Sequence, residues 1–420
     1  MNNKWLREGQ DNIVWKMLFY LFWPFGTWLF CLKEPRTKSS YLVFFLFSLL
    51  LLWHMSPAGL TDEYHDFLGI LEEFNTTKIT TGEFLDEVVA FFTFSDDAPK
   101  ELYQDFLTWF TKLFTENYHF MFLLAAIPVA YFQLKSMQLV TNDSFFMPGF
   151  LGIIAMIAMI IPRDMIAVQN PRFTTGFWLF VCCSLYCFSQ KHIKLKYLLP
   201  FLLLPAMHSG LWPALIMIGL YLIFPKNTRL LETMAIASIP FVFIDPDLFS
   251  MLNIDLNVLP SSLSKWADNY ISEEAYSKFI LNEGRAGFWW VDSLFQFALK
   301  ILYIMLALQV IGNKNKVEIN SEASGFYSFF LFIFFMINMI QFVPVMGSRY
   351  YGMWRIFVFY TWYKTFHFER KTPYYLLLIF NSWYIVNRYG YVLGGALAVN
   401  MPPDIFFTPL PYLIGEGLFY

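Results

Sequence analysis

The sequence predicts an all-α fold, a polytopic transmembrane helix bundle of about 10–12 membrane segments with amphipathic helices in its outer loops. Three observations lead there. Hydrophobic residues make up 57% of the 420-residue chain and charged residues only 15%, with 50 Phe, whereas a soluble domain is nearer a quarter charged. The apolar residues gather in blocks of roughly 15 to 25, the length that crosses a hydrocarbon core of about 30 Å. Lys and Arg concentrate in the short connections between these blocks, an asymmetry that orients membrane proteins. The net charge of −3 lacks the basic excess that nucleic acid attracts, so no nucleic-acid partner is expected.

In chain order, the expected spans are 14–32, 41–59, 118–134, 145–162, 173–189, 197–224, 230–244, 287–311, 325–346, 353–367 and 374–388. The first is interrupted by Pro24 and Gly26, and fits a re-entrant or interfacial segment as well as a crossing. Lys33, Arg36, Lys135, Lys194, Arg229, Lys314 and Arg370 are among the cations of the short connections, which places those connections in the cytoplasm. The longer connections 60–117 and 245–286 then lie outside, as two loops of a single integral membrane domain covering 1–420.

Segment 60–117 has helical periodicity. Phe67, Ile70, Leu71 and Phe74 fall on one face, as do Leu102, Phe106, Trp109, Phe110 and Leu113, the spacing of amphipathic helices. Such helices lie along a membrane–water boundary, either capping the spans or walling a cavity.

The stretch LLLPAMHSGLWPALIMIG, residues 202 to 219, sets a histidine within a long apolar run. Both flanks of 197–224 are basic, so the segment enters and leaves on one side. Its 28 residues are too few for two crossings of about 20 residues each. A short broken hairpin is expected, bending near His208-Ser209-Gly210. Irregular backbone at that depth is tolerated only where protein buries it or where it lines a watery cavity, which puts His208 at the tip of the break.

Cys31, Cys182, Cys183 and Cys187 lie in apolar segments and offer neither a disulfide framework nor a zinc spacing. No metal or cofactor is expected, nor a cleavable signal peptide.

Ionisable groups at membrane depth cost several kcal/mol unless they face a cavity or a partner. The outer side carries Arg163, Asp164, Arg172, His208, Arg285, Asp292, Arg349, Arg355 and Arg388. Arg163 and Asp164 also read as plain loop charges, and Lys300 as a snorkelling side chain. Arg172, Arg349 and Arg355 are expected at outer helix ends. With His208 they suit an anionic ligand, because guanidinium forks match phosphate oxygens and stay charged. A lipid-linked diphosphate presents such a group at this depth. No close carboxylate pair, Gly-rich phosphate loop or HExxH motif is present, so any chemistry relies on a substrate with its own leaving group.

Three stretches carry a resemblance to the EpsG family, membrane proteins related to the Wzy-type polymerases of exopolysaccharide and O-antigen. Gly59-Leu-Thr-Asp62-Glu-Tyr64-His-Asp-Phe67 is similar to the family's Gly–Asp–aromatic–aromatic pattern. Arg172 followed by His208-Ser209-Gly210 resembles its Arg-then-HxS/A arrangement, and Arg355-Ile-Phe-Val-Phe-Tyr360 its late Arg and Tyr. Together they cover the chain from residue 50 to 360 or thereabouts. Where the family often has an Arg before the first pattern, this chain has Trp53-His54-Met55, so no phosphate ligand carries over there.

The resemblance implies a metal-independent glycosyltransferase of a bacterial inner membrane, with loops 60–117 and 245–286 in the periplasm. It would transfer polyprenyl (undecaprenyl) diphosphate-linked oligosaccharide repeats onto a lipid-linked acceptor, with a chain-length regulator and a flippase as candidate protein partners besides the bilayer. The implied catalytic residues are His208, Arg172 and Asp62. Arg355 and Tyr64 would bind substrate; Arg349, Arg163 and Arg285 are further substrate-binding candidates by their outer-side charge alone, outside the resemblance. His208 would act as general base toward the acceptor hydroxyl or as hydrogen-bond donor to the diphosphate, with Asp62 as the alternative base. A base opposite the leaving group would invert the anomeric carbon. A flippase for the same lipid-linked sugars, and a ligase or single-sugar transferase, remain alternative readings.

Overall fold

The computed structural model describes residues 11–54, 56–57, 62–76, 79–93, 95, 98–99, 101–164, 170–189, 193, 195–224, 227–244, 289–319, 321–341, 343–393, 399–400 and 406–419. At 56–57, 62–68, 387–393, 399–400, 416–419 and some other helical positions, the description is of the backbone alone.

These residues are almost wholly helical. α1 (Ile13–Phe22), α2 (Pro24–Cys31), α3 (Lys38–Trp53), α4 (Asp62–Thr76), α5 (Thr81–Thr93) and α6 (Tyr103–Lys112) lead to α7 (Tyr118–Thr141), α8 (Phe150–Ile160) and α9 (Pro171–Phe188). An interrupted stretch follows: α10 (Leu195–Leu198), α11 (Leu204–Met207) and α12 (Trp212–Ile223), separated by 3-10 turns. Then come α13 (Thr228–Ala237), α14 (Trp289–Ile311), α15 (Lys314–Ile319), α16 (Ser321–Ile340), α17 (Pro344–Phe366), α18 (Thr372–Leu393) and α19 (Leu410–Phe419). Among the described residues the one strand pairing is a two-residue antiparallel bridge between β1 (Ser56–Pro57) and β2 (Val399–Asn400). α7 and the Ser293–Ile311 part of α14 are long and apolar enough to cross a membrane.

The chain divides into two compact units. The first comprises Met1–Thr81, Gln104–Trp178 and Asn381–Tyr420; the second comprises Gly82–Tyr103 and Leu179–Phe380.

In the first unit α3 packs on α7, with α1 and α2 on α3 and α8 on α7. Arg36 ties the turn before α3 to the end of α7. Its guanidinium donates to the carbonyls of Thr141 (2.7 Å), Asp143 (2.5 Å) and Phe146 (2.8 Å). α1 is built inside out. Lys16 is only 4% exposed. It donates to Thr37 Oγ1 (2.9 Å) and Ser40 Oγ (3.1 Å), with carboxylates of Asp11 and Glu34 at 3.8 and 3.4 Å. Val14, Trp15 and Phe22 point outward, 66% to 71% exposed. A helix facing water has the opposite polarity.

α4 buries Ile70, Leu71 and Phe74, as its periodicity predicts. On α6 the buried face is Gln104, Leu107, Thr108 and Thr111, whereas Phe106, Trp109 and Phe110 are half-buried and Leu113 is exposed. Its polar side is inward because Gln104 Nε2 and Thr108 Oγ1 find the Met121 sulfur, at 3.7 and 3.9 Å.

α17 is the axis of the second unit, packed by α14, α15 and α16. From Met353 to Phe366 its side chains are buried on every side, as expected of a helix enclosed by neighbours. The expected spans 325–346 and 353–367 are divided differently here. The chain turns at 341–343 and α17 begins at Pro344, so Arg349 and Arg355 share one helix instead of standing at helix ends. Pro at the first helical position has its φ already set and no N–H to satisfy. Gly347 permits the tight start, since a Cβ there would lie 2.4 Å from the Gln341 carbonyl oxygen. On α14, Leu294, Phe297, Ile301, Met305 and Leu308 are exposed and share one face by their spacing.

Candidate functional site

The break at His208 follows from its neighbours. Pro200, Pro205 and Pro213 each sit in the first turn of a new helical piece, where a missing N–H is harmless. Between α11 and the 3-10 turn Ser209–Leu211, His208 adopts extended dihedrals of φ −159° and ψ 130°. The arms Lys196–Met207 and Ser209–Ile223 would reach only about 18 and 22 Å as ideal helix, each short of a ~30 Å hydrocarbon core.

A broken helix leaves backbone donors and acceptors that must be paired when buried. Here five of them have named partners, all within the second unit. Ala206 O accepts the Leu102 N–H at 2.9 Å. The Ser209 N–H donates to Glu101 Oε1 at 3.0 Å, and the Gly210 N–H to His208 Nδ1 at 2.8 Å. The Tyr350 hydroxyl, from α17, donates to Gly210 O at 2.9 Å and accepts the Ala214 N–H at 3.1 Å.

His208 is 4% exposed. Because Nδ1 accepts a backbone N–H, this bonding assigns the ring's proton to Nε2. A proton on Nδ1 would set two N–H groups against each other. Glu101 Oε1 lies 3.6 Å from Nδ1, beyond hydrogen-bonding reach. That oxygen instead accepts the Ser209 N–H and the Ser209 hydroxyl, the latter at 2.9 Å.

Arg355 is 5% exposed and lies at the middle of α17. Its guanidinium stands 5.3 Å from the Tyr303 ring centre and 5.7 Å from that of Tyr351, and Lys300 Nζ is 5.9 Å from Tyr351. The Tyr303 hydroxyl faces the Arg355 guanidinium, and the Tyr351 hydroxyl and the Trp354 indole N–H are buried without a hydrogen-bond partner among the described residues. Buried donors left without acceptors cost about 1–3 kcal/mol each, and an anion would satisfy them. Arg355 follows Tyr350 by about 7.5 Å along α17 and about 140° around it. Arg349, half-buried, is turned about 120° from Arg355, so the two do not form a pair.

The remaining sequence-derived candidates fall elsewhere. Arg163 ends the turn after α8 and pins it to α9, donating from Nε and Nη2 to Thr174 Oγ1 at 3.1 and 2.9 Å. It also stacks 5.0 Å over Phe173. Arg172, half-buried, is the second residue of α9. It belongs to the first unit and His208 to the second, so neither unit by itself pairs them. Asp62 and Tyr64 open α4, but their side chains lie outside the described residues, as does Arg285. Glu101 and Tyr350 are functional candidates that sequence reading did not single out, and Lys300 was given no role. The chain matches no family model, no curated protein and no solved structure.

Proposed function

We propose that this chain is a multi-pass membrane glycosyltransferase of the Wzy-like kind, joining polyprenyl-diphosphate-linked oligosaccharide repeats on the outer face of a bacterial inner membrane. The observation that carries this reading is the group of buried donors around Arg355: the guanidinium, the Tyr303 and Tyr351 hydroxyls and the Trp354 N–H. As a glycosidic bond to diphosphate breaks, negative charge grows on the leaving group. Fixed cations and dipoles in a dry site stabilise such charge strongly. His208, with its proton on Nε2, serves as hydrogen-bond donor to the substrate. The membrane setting is supported by the apolar outward faces of α1 and α14 and by the buried Lys16.

The test is polymer formation by the purified protein in nanodiscs, supplied with undecaprenyl-diphosphate-linked repeats. Arg355→Ala is expected to lower the rate by about 10²–10³-fold, the effect of losing one charge-stabilising donor, with Arg355→Lys intermediate. A well-folded Arg355→Ala variant that polymerises at the wild-type rate would overturn the assignment.

A further inference from the structure

We propose that Glu101 is the proton acceptor of this site, a role that rests on the glycosyl-transfer reading above. Glu101 comes from the connection between α5 and α6, yet its side chain is only 10% exposed. The Leu102 N–H bonded to Ala206 O fixes this connection against the broken helix. The carboxylate is then held by two donors of one residue, the Ser209 N–H and hydroxyl at 3.0 and 2.9 Å.

Two proton-transfer groups meet at the break, and their bonding separates their roles. The His208 ring accepts the Gly210 N–H at Nδ1, so its remaining nitrogen is a donor and cannot take a proton in this arrangement. An ionised carboxylate has only acceptor sites. Of the two, Glu101 receives the proton and His208 supplies a hydrogen bond.

In the step, the acceptor O–H bond breaks and its proton passes to the Glu101 carboxylate. The oxygen's electron pair forms the new bond to the anomeric carbon. The bond from that carbon to the diphosphate oxygen breaks, and its electron pair leaves with the diphosphate. Glu101 then gives its proton to water. His208 as base and Asp62 as the alternative base, both implied by the family resemblance, are not needed for this sequence of transfers.

The competing account makes Glu101 a structural pin for Ser209. Glu101→Gln separates them, because the amide oxygen still accepts both Ser209 hydrogens while the amide cannot act as a base. In the full-length protein with undecaprenyl-diphosphate-linked repeats, Glu101→Gln is expected to lower kcat by about 10²–10⁴-fold, the usual contribution of a general base. KM for the donor is expected to stay within about threefold, as it does when only a transition-state interaction is lost. Glu101→Asp, which keeps the carboxylate on a shorter arm, is expected to retain more activity than Glu101→Gln. Wild-type product with an undiminished Glu101→Gln variant would overturn the role of Glu101 alone. No product from wild type would overturn the glycosyl-transfer reading, and this role with it.

Discussion

Tyr350 holds a single hydroxyl against both a carbonyl and an amide of the broken helix. Tyr350→Phe leaves Gly210 O and Ala214 N–H without that partner in a buried place. A loss of about 1–3 kcal/mol is expected, the cost of unsatisfied buried groups, read as a lower unfolding midpoint in detergent; an unchanged midpoint would show that the bridge is dispensable. At His208 the structural and chemical roles separate. Asn is a good helix cap and can accept the Gly210 N–H, whereas Ala cannot. His208→Asn is therefore expected to keep the midpoint near wild type while losing polymer formation, and His208→Ala to lose about 1 kcal/mol as well. Equal activity in His208→Asn and wild type would reduce His208 to a cap. His208 was legible because a polar residue among prolines in an apolar run marks a break wherever the run lies. Glu101 was not, because it meets Ser209 across 108 residues of chain and is locally one acid among many in an acidic loop.

α17 shows why helix boundaries were harder to read than helices. The expected spans 325–346 and 353–367 left a connection at 347–352, but the start signal was Pro344, followed by a glycine with no room for a side chain. Gly347→Ala is expected to destabilise by about 1–3 kcal/mol, the cost of forcing a methyl into filled space; thermal unfolding measures it, and no change would mean that the turn yields. The aromatic ridge of α6 was read correctly as a face, but burial falls on its polar neighbours, because Met121 offers a sulfur acceptor there. At the other end of α17, Lys316 Nζ lies 2.5 Å from Glu369 Oε2. That hydrogen bond, ahead of the nearby positive charges, holds the Glu369 carboxyl below its ordinary value. A depressed carboxyl stabilises at pH above the usual carboxylate range and loses that contribution as pH falls through the folded value. Amide exchange over α15, corrected for intrinsic rate, is expected to rise on acidification below about pH 4 in wild type. In Glu369→Gln it should already be raised at neutral pH; matching pH profiles would contradict this. The effect is small, since the pair is exposed.

At the scale of the molecule, three of the described helices carry polarity opposite to that of a water-facing helix. α1 buries a lysine and exposes tryptophan, α6 turns polar residues inward, and α14 presents an apolar stripe. Exposed apolar surface of this kind marks a face that another apolar phase covers, in keeping with the proposed membrane setting. The helical, apolar character was legible from composition, since a helix able to cross needs only length and apolarity, and α7 and part of α14 have both. Glu116 and Asn142 flank α7, so Glu116→Cys is expected to react with an impermeant maleimide from outside and Asn142→Cys only after permeabilisation. Labelling of both from one side would refute the crossing. The most direct test of the whole account is to reconstitute the wild-type protein with undecaprenyl-diphosphate-linked repeats and resolve the products by size. A ladder of lengthening oligosaccharides with release of undecaprenyl diphosphate is the predicted result. Repeats moved across the bilayer without any new glycosidic bond would contradict it and identify a transporter.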